Sequence, residues 1–395
     1  MEEIIVTGTS IRGVIPESTP LEIYDAIEIR NTGALTVEGF ISTLSQNNNT
    51  LSELGGGSSS REPNNNLNNS VDLRGLGVGS TLVLLNGRRM APSSQGRSAD
   101  VSLIPIGSVE RVEVLTDGAS AIYGADAIGG VINFVLKDQQ DGAETVLTVG
   151  GADGGNEQVR IDQSFGISWK DGTALVALSH FDRNELDASD RDFAQAAAPF
   201  TLIPEDTRNS AFATISQLLP GDFRISADLL YSTRKPRSVQ TQSQFGADDL
   251  VERVIGLKQT VLNVAIDRPI GRKLNGGLLA TYADASANAD GFLDGPTVGV
   301  GPFLTGEDTN SVDITAKIDG ELTRFRSGSW LFALGAGYTE DEYKTFRDFS
   351  AANGSARSAS ALGRDTKYAF AELQAPIVSP DQNINGIRRL ELSLA

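Results

Sequence analysis

The sequence predicts two unlike parts: a small α+β unit over roughly the first third, then a one-sided antiparallel sheet of the transmembrane β-barrel type. Three observations carry this. The pattern changes at Lys137 from short mixed elements to long period-2 alternation. The alternation sets one apolar face against one polar face. The connections between alternating segments are sorted by length, short then long, which an up-and-down membrane barrel requires and a soluble sandwich does not.

In the first part, "TPLEIYD" (Thr19–Asp25) reads as a strand leading into a helical turn through Arg30. "LTVEGFISTLS" (Leu35–Ser45) reads as an amphipathic helix with Val37, Phe40, Ile41 and Leu44 on one face. Gln46–Ser70 is rich in Asn, Gly and Ser and reads as a loop without core residues of its own. Strands are expected at Thr81–Gly87, Val109–Gly118 and Gly129–Lys137, with a helical turn at "ASAIYG" between the last two. Gly118, Gly124, Gly129 and Gly130 flank that turn, where left-handed or close-approach backbone is expected.

After Lys137, "VRIDQSFGISW" places Val159, Ile161, Phe165, Ile167 and Trp169 opposite Arg160, Asp162, Ser164, Gly166 and Ser168. "FRISADLLYS" places Phe223, Ile225, Ala227, Leu229 and Tyr231 opposite Arg224, Ser226 and Asp228. "VDITAKIDGEL" places Val312, Ile314, Ala316, Ile318 and Leu322 opposite Asp313, Thr315, Lys317, Asp319 and Glu321. About eleven such strands fit the remaining chain at roughly 10 residues per membrane crossing. "YAFAELQ" (Tyr368–Gln374) breaks phase at Glu372 and suggests a bulge. Short turns fall at 170–172, 219–221, 268–272 and 324–329, and long connections at 184–208, 233–259, 287–310 and 344–365. Trp169, Tyr231, Trp330 and Tyr338 sit near strand ends on the apolar face, as a membrane-interface girdle would have them; ordinary aromatic packing accounts for any one of them equally well.

Composition excludes several classes of function. A formal net charge of -18 leaves no basic footprint for nucleic acid. With no cysteine and a single histidine, His180, there is no thiolate nucleophile, Cys-based metal site or multi-His metal site. His180 reads as a strand residue. The acidic stretch "GADD" (Gly246–Asp249) reads as solvated loop charge rather than a cation site. No apolar run reaches the 18 residues that a helical span needs, and no signal peptide precedes "EEIIVTGTS".

"RGLGVGSTLVLLNGRR" tests a nucleotide-binding reading. A dinucleotide fingerprint needs Gly-x-Gly-x-x-Gly opening a helix. Here Gly75, Gly77 and Gly79 are spaced one residue short, a strand follows, and no P-loop lysine is present. The chain is therefore expected to be no enzyme and to need no cofactor.

"EEIIVTGT", "VDLRGLG", "TLVLLNGRR" and "IPIGSVERVEVLTDGASAIYGADAIGGVINFVLK" (Ile104–Lys137), in this order and spacing, resemble the plug domain of TonB-dependent outer-membrane receptors. The alternating region resembles the start of that family's barrel. The resemblance implies a coupling segment over 1–12, a plug over 13–137 and a partial barrel over 138–395. It implies a Gram-negative outer-membrane protein for energised uptake of a scarce solute such as a ferric siderophore, vitamin or oligosaccharide. Its implied partners are TonB with its inner-membrane energising complex, outer-membrane lipid and the solute. Ile4, Ile5, Val6 and Thr7 are then the strand offered to TonB; a frayed terminus or first plug strand is the plainer account. Arg88, Arg89, Gln95 and Arg97, after the Asn86–Gly87 turn, become ligand-contact candidates on the extracellular side, though a charged loop facing water explains them as well. Arg74, Glu110, Arg111 and Glu113 become outward charges that meet a polar barrel wall.

Barrels of this kind have 22 strands, and eleven is half. The expectation is therefore a fragment, a split-gene half or a trimmed chain that does not transport by itself, with a non-transporting surface-binding or adhesion protein as the alternative.

Overall fold

The computed structural model describes residues 7–13, 20–48, 64, 66–93, 97–117, 119–244, 247–295, 299–351, 354–379, 382 and 387–395. The plug begins with strand β1 (Leu21–Asp25) and helix α1 (Ala26–Asn31). Asp25 caps α1 through its side chain, accepting from the Ile27 and Glu28 amides, and Glu28 accepts in return from the Asp25 amide. Helix α2 (Val37–Ile41) is capped by Thr36 and ends earlier than its periodicity suggests. The expected apolar face holds nonetheless: Val37, Phe40, Ile41 and Leu44 are all buried. Strands β2 (Thr81–Leu85), β3 (Arg88–Arg89), β4 (Val109–Leu115) and β5 (Gly130–Leu136) complete a five-stranded sheet in the order β1-β4-β5-β2-β3. Helix α3 (Ser120–Tyr123) lies between β4 and β5.

The glycine run that opens β2 serves conformation. Gly75, Gly77 and Gly79 all have positive φ (67°, 96° and 87°), a region closed to most side chains. Asn86 and Gly87, at 51° and 74°, form the mirror-image turn suited to the β2–β3 hairpin.

The second part is one antiparallel sheet of eleven strands. Its strands are β6 (Gly142–Ala152), β7 (Gly155–Trp169), β8 (Gly172–Arg183), β11 (Glu205–Leu219), β12 (Phe223–Gln244), β13 (Ala247–Ile270), β14 (Leu274–Gly295), β15 (Gly299–Phe325), β16 (Gly328–Ala351), β17 (Gly354–Val378) and β18 (Leu390–Leu394). A separate two-stranded piece, β9 (Leu186–Asp187) with β10 (Thr201–Ile203), sits in the β8–β11 connection. The big sheet is open, with β6 at one edge and β18 at the other.

The strand number and short turns agree with the sequence reading; three of the long connections do not. The stretches 233–259, 287–310 and 344–365 are mostly strand, paired almost to the hairpin tips, as in Gln244↔Ala247 and Gly295↔Gly299. β15, at 27 residues, rises about 90 Å at about 3.3 Å per residue. A bilayer crossing needs only about 9–11 residues, so each long hairpin far exceeds what a crossing requires. The outer face records the change: Phe223, Ile225, Leu229 and Tyr231 are exposed apolar residues, followed on the same face by Thr233, Lys235 and Arg237. Polar outer faces end the membrane pattern without ending the strand.

Two further readings are corrected. β17 does not bulge at Glu372: its pairing with β16 is continuous from Leu331↔Gln374 to Ala351↔Gly354. Thr366, Tyr368, Phe370 and Glu372 share the inner face, so the apparent phase break is two aromatics turned inward. The inner wall is also not uniformly polar. Leu175, Ala177, Phe212, Leu230, Val261, Ala283 and Ala285 join one buried cluster with plug residues Val37, Phe40, Val101 and Ile104. Where the plug presses on the wall, no water remains to reward a polar side chain.

Gly130 joins the plug's halves at φ 137°, and a Cβ there would lie 2.4 Å from the Leu115 carbonyl. Gly130→Ala is expected to destabilise the plug by about 1–3 kcal/mol, read as faster amide exchange in β4 and β5 with exchange in the long hairpins unchanged.

Candidate functional site between the plug and the sheet

Plug groups bond to one face of strands from β7 to β17, so the sheet curves around the plug. Two polar clusters make most of these bonds, one at each end of the strands.

At the short-turn end lies the segment Thr7–Gly13. Glu113, only 1% exposed, accepts from the Thr7 amide (2.9 Å) and hydroxyl (2.7 Å). Asn133 (3.2 Å) and Arg111 (2.8 Å) hold the same carboxylate. The Tyr123 hydroxyl accepts from the Gly8 amide at 3.3 Å. Glu372 of β17 takes the Thr9 hydroxyl and the Ser10 amide, each at 2.6 Å. Arg12 pairs with Asp319 at 3.1 Å and with Asp267, and Lys317 donates to the Ser10 carbonyl at 3.3 Å. The segment is thus held by carboxylates of the plug and of three barrel strands.

Toward the long-hairpin end, the sheet supplies arginines and the plug supplies acceptors. Arg160 donates to the Leu35 carbonyl at 2.7 Å. Arg208 donates to Glu38 at 3.0 Å and to the Ser102 carbonyl at 3.1 Å. Arg234, fully buried, donates to the Leu67 carbonyl at 2.7 Å and the Ser102 hydroxyl at 3.0 Å. Asp206, also buried, bonds both Arg208 (2.6 Å) and Arg234 (2.8 Å). Burial works against the Glu38 charge, but the Arg208 guanidinium outweighs it and holds the carboxyl below its ordinary 4.5. Asp100 is the opposite case: burial outweighs Arg234, 3.9 Å away, and raises its carboxyl above the usual range.

The described end of the Asn-rich stretch belongs to this cluster. Leu67 is wholly buried and packs with Leu103, Ile255, Leu257, Ala287 and Ala289. Asn64, Asn66, Asn68, Asn69 and Ser70 are buried too. The stretch lacks a core of its own, but the barrel wall provides one.

The candidate residues distribute as follows. Thr7 lies in the clamp; Ile4, Ile5 and Val6 lie outside the described residues, as do Gln95 and Gly246. Glu113 is inside the plug rather than on its outer face. Arg111 pairs with Glu113 and, at 3.6 Å, with Glu110. Arg74 donates to the Gly129 (3.0 Å) and Ile128 (2.7 Å) carbonyls of the plug. Arg89 binds Asp126 and the Tyr123 carbonyl. Arg88 and Asn86 face Asp228, six residues nearer the short turn than Arg234 on the same strand. The β2–β3 hairpin therefore points away from the long hairpins. Arg97 backs onto Gly79, where an added Cβ would lie 3.2 Å from the Arg97 carbonyl. His180 is exposed on the outer face and bonded to Asn209 at 2.9 Å. The partners that sequence reasoning missed are Arg12, Glu38, Arg208, Arg234, Asp267, Asp319 and Glu372. The five on the strands share the polar phase of the alternation.

Residues 18–131 match the model of the TonB-dependent Receptor Plug Domain. Fold and match define the class: residues 18–131 are of the plug-domain kind, and the sheet that follows has the fold of part of an outer-membrane-type β-barrel. It is similar in fold to the ferric yersiniabactin uptake receptor FyuA from Yersinia pestis, at 12% identity and TM-score 0.62, with 91% of this chain and 62% of that one covered. It is similar also to the siderophore receptor PiuA from Acinetobacter baumannii (14%, 0.58, 95% and 68%) and to the ferric-catecholate import receptor Fiu from E. coli K12 (11%, 0.56, 92% and 67%). The chain thus spans about two thirds of the length of these receptors.

Arg12→Ala and Glu372→Gln each remove a charged tie on the segment, worth about 1.5–3 kcal/mol. Both are expected to speed proteolysis within residues 1–13 at least several-fold at unchanged melting temperature; unchanged cleavage would show that the segment is held elsewhere. Arg208→Met strands the buried Glu38 carboxylate and removes one of the three arginines around Asp206, and is expected to cost about 3–5 kcal/mol in a thermal melt. Because Glu38 has a depressed pKa when folded, its contribution is complete above pH 4.5 and is lost as the pH falls through the lower folded value. Acid titration of the melting temperature should therefore be less steep in Glu38→Gln.

Proposed function

We propose that this chain is the plug and part of the barrel of a TonB-dependent outer-membrane receptor in a Gram-negative bacterium, taking up a scarce solute of the siderophore type. The observation that carries the reading is the placing of Thr7–Arg12. This segment, turns and bends over its described residues, is tied by carboxylates at the short-turn end, beneath the plug that packs on the sheet's inner face. In this reading the short turns are periplasmic and the long hairpins extracellular. Residues 1–12 are the coupling segment, 13–137 the plug and 138–395 the barrel portion. TonB, driven by its inner-membrane complex, pairs with Ile4–Thr7 by strand addition and pulls against Glu113, Glu372, Asp267 and Asp319.

The outer face supports the membrane location. Its apolar band on β16, half-buried at Trp330, Phe332 and Tyr338 and exposed at Leu334 and Ala336, spans about 26 Å of strand, close to the apolar height of an outer-membrane barrel. The solute reading rests on FyuA being a ferric yersiniabactin uptake receptor, PiuA a siderophore receptor and Fiu a ferric-catecholate import receptor. The placement of Arg88 beside Asp228 favours a role in the plug's seating over first contact with solute.

In cells making the receptor with its barrel complete, deleting residues 2–9 is expected to abolish energy-dependent uptake of a ferric chelate while surface binding persists. Uptake at the undeleted rate would refute the coupling role. Recovery of the protein in the soluble fraction without detergent would refute the membrane location.

A further inference from the structure

Asn133 is a polar residue in a strand that is otherwise apolar. It is wholly buried on β5, between Ile132 and Phe134 along the chain, and Val131 and Leu115 share its face. A buried amide costs free energy unless both its ends are bonded. Both are. Its Oδ1 accepts from the Gly87 amide at 2.8 Å, and its Nδ2 donates to Glu113, directly opposite on β4, at 3.2 Å. The Glu113 oxygen that it reaches is the one that accepts from the Thr7 amide and hydroxyl. A leucine would pack on this face without any such demand, so the amide answers to its two partners.

The Gly87 side continues to the wall. Asn86, the other residue of the β2–β3 turn, bonds Asp228 of β12. Asp228 accepts from Asn263 of β13 at 2.6 Å, and Asn263 accepts from Thr281 of β14 at 2.9 Å. Asn263 and Thr281 are buried. Three neighbouring strands thus fix the carboxylate that seats the turn. A second line runs beside the first: Arg88 lies close to Tyr123, whose hydroxyl accepts from the Gly8 amide. The remaining ties on the segment are of another kind. Glu372, Asp267, Asp319 and Lys317 belong to the barrel strands and hold it directly.

We propose that Asn133 is a positioning residue that makes the hold on Thr7 depend on the seating of the β2–β3 turn against Asp228. With the turn seated, the Gly87 amide fixes one end of the planar Asn133 side chain, and the other end is thereby aimed at Glu113. With the turn unseated, Asn133 loses that anchor and Glu113 loses a donor. The carboxylate, then held by Arg111 alone, turns away from Thr7. The wall contact and the terminal segment are two ends of one polar relay through the plug's interior, and the ties at Ser10 and Arg12 lie outside it. The use of the segment for coupling rests on the receptor reading; the relay concerns only how Thr7 is held. A relay of this kind is established by energetic coupling between its ends, not by proximity.

The test is residue-resolved amide hydrogen exchange of the full chain in detergent, comparing the parent with Asp228→Leu, Asn133→Leu and the double variant. Asp228→Leu is expected to speed exchange of the Thr7 amide about tenfold or more, the loss of one charge-assisted hydrogen bond. The Ser10 amide, held by Glu372, should exchange at the parent rate. Asn133→Leu should speed Thr7 by the same factor, and adding Asp228→Leu to it should change nothing further. Unchanged Thr7 exchange in Asp228→Leu overturns the relay. Equal acceleration at Ser10 overturns it too, by marking a general loosening of the segment, and so do additive effects in the double variant. If Asn133→Leu does not fold, Asp228→Leu decides by itself, because it lies on the wall and leaves the plug's own residues intact. None of these outcomes bears on the coupling role, which the deletion of residues 2–9 decides.

Discussion

Arginines on the inner face of the sheet are the constraint from which the rest follows. Arg160, Arg208 and Arg234 project to the side that neither lipid nor bulk water can serve once the plug is in place. Each guanidinium needs acceptors, and the plug supplies them as the Leu35 and Leu67 carbonyls, the Ser102 hydroxyl and carbonyl, and the Glu38 carboxylate. A sheet without its plug would leave these cations facing a cavity. A plug outside the sheet would leave Leu67 and Ala99 to Ile104 in water. The two parts are therefore one folding problem, although the chain pattern changes sharply between them.

The two polar clusters differ in kind, and the difference bears on movement. In the arginine cluster most groups are deeply buried, and Asp206 bridges Arg208 and Arg234. Displacing one member strands the others, so this end is suited to hold. The cluster around Thr7–Arg12 ties a chain end with separable contacts: two to Glu113, two to Glu372, and the Arg12 pairs. Such contacts can be given up one after another from the terminus inward, so this end is suited to yield. A pull applied at the terminus would meet the yielding cluster first and the holding cluster last.

The long hairpins have a related logic. Their outer faces turn polar where the lipid-facing band ends, while their inner faces stay apolar at Ile255, Leu257, Ala287 and Ala289 because the plug's Leu67 and Leu103 reach them. The strands persist because pairing continues.

Much of this was legible in the sequence. Alternation determined the strand number, the apolar face and the polar phase that carries Arg160, whereas Arg208 and Arg234 fell in stretches read as long connections and Glu372 read as a break in phase. The linked motifs at Val71–Arg89 and Ile104–Lys137 determined the plug, and the Gly75, Gly77 and Gly79 run determined a turn rather than a phosphate cradle. What the sequence could not carry was partnership across the lumen. Glu113 and Glu110 look alike in a strand, yet one is buried against Thr7 and the other is half exposed, because the Thr7 segment covers one and not the other. Low-complexity residues such as Asn64 and Asn66–Ser70 read as loop because their core belongs to another element. The hairpin arms read as loops because a strand with water outside and protein inside reverses the membrane pattern. Local periodicity is a property of the chain, whereas which inward residue meets which plug group depends on how the sheet curves, and only the tertiary structure decided that.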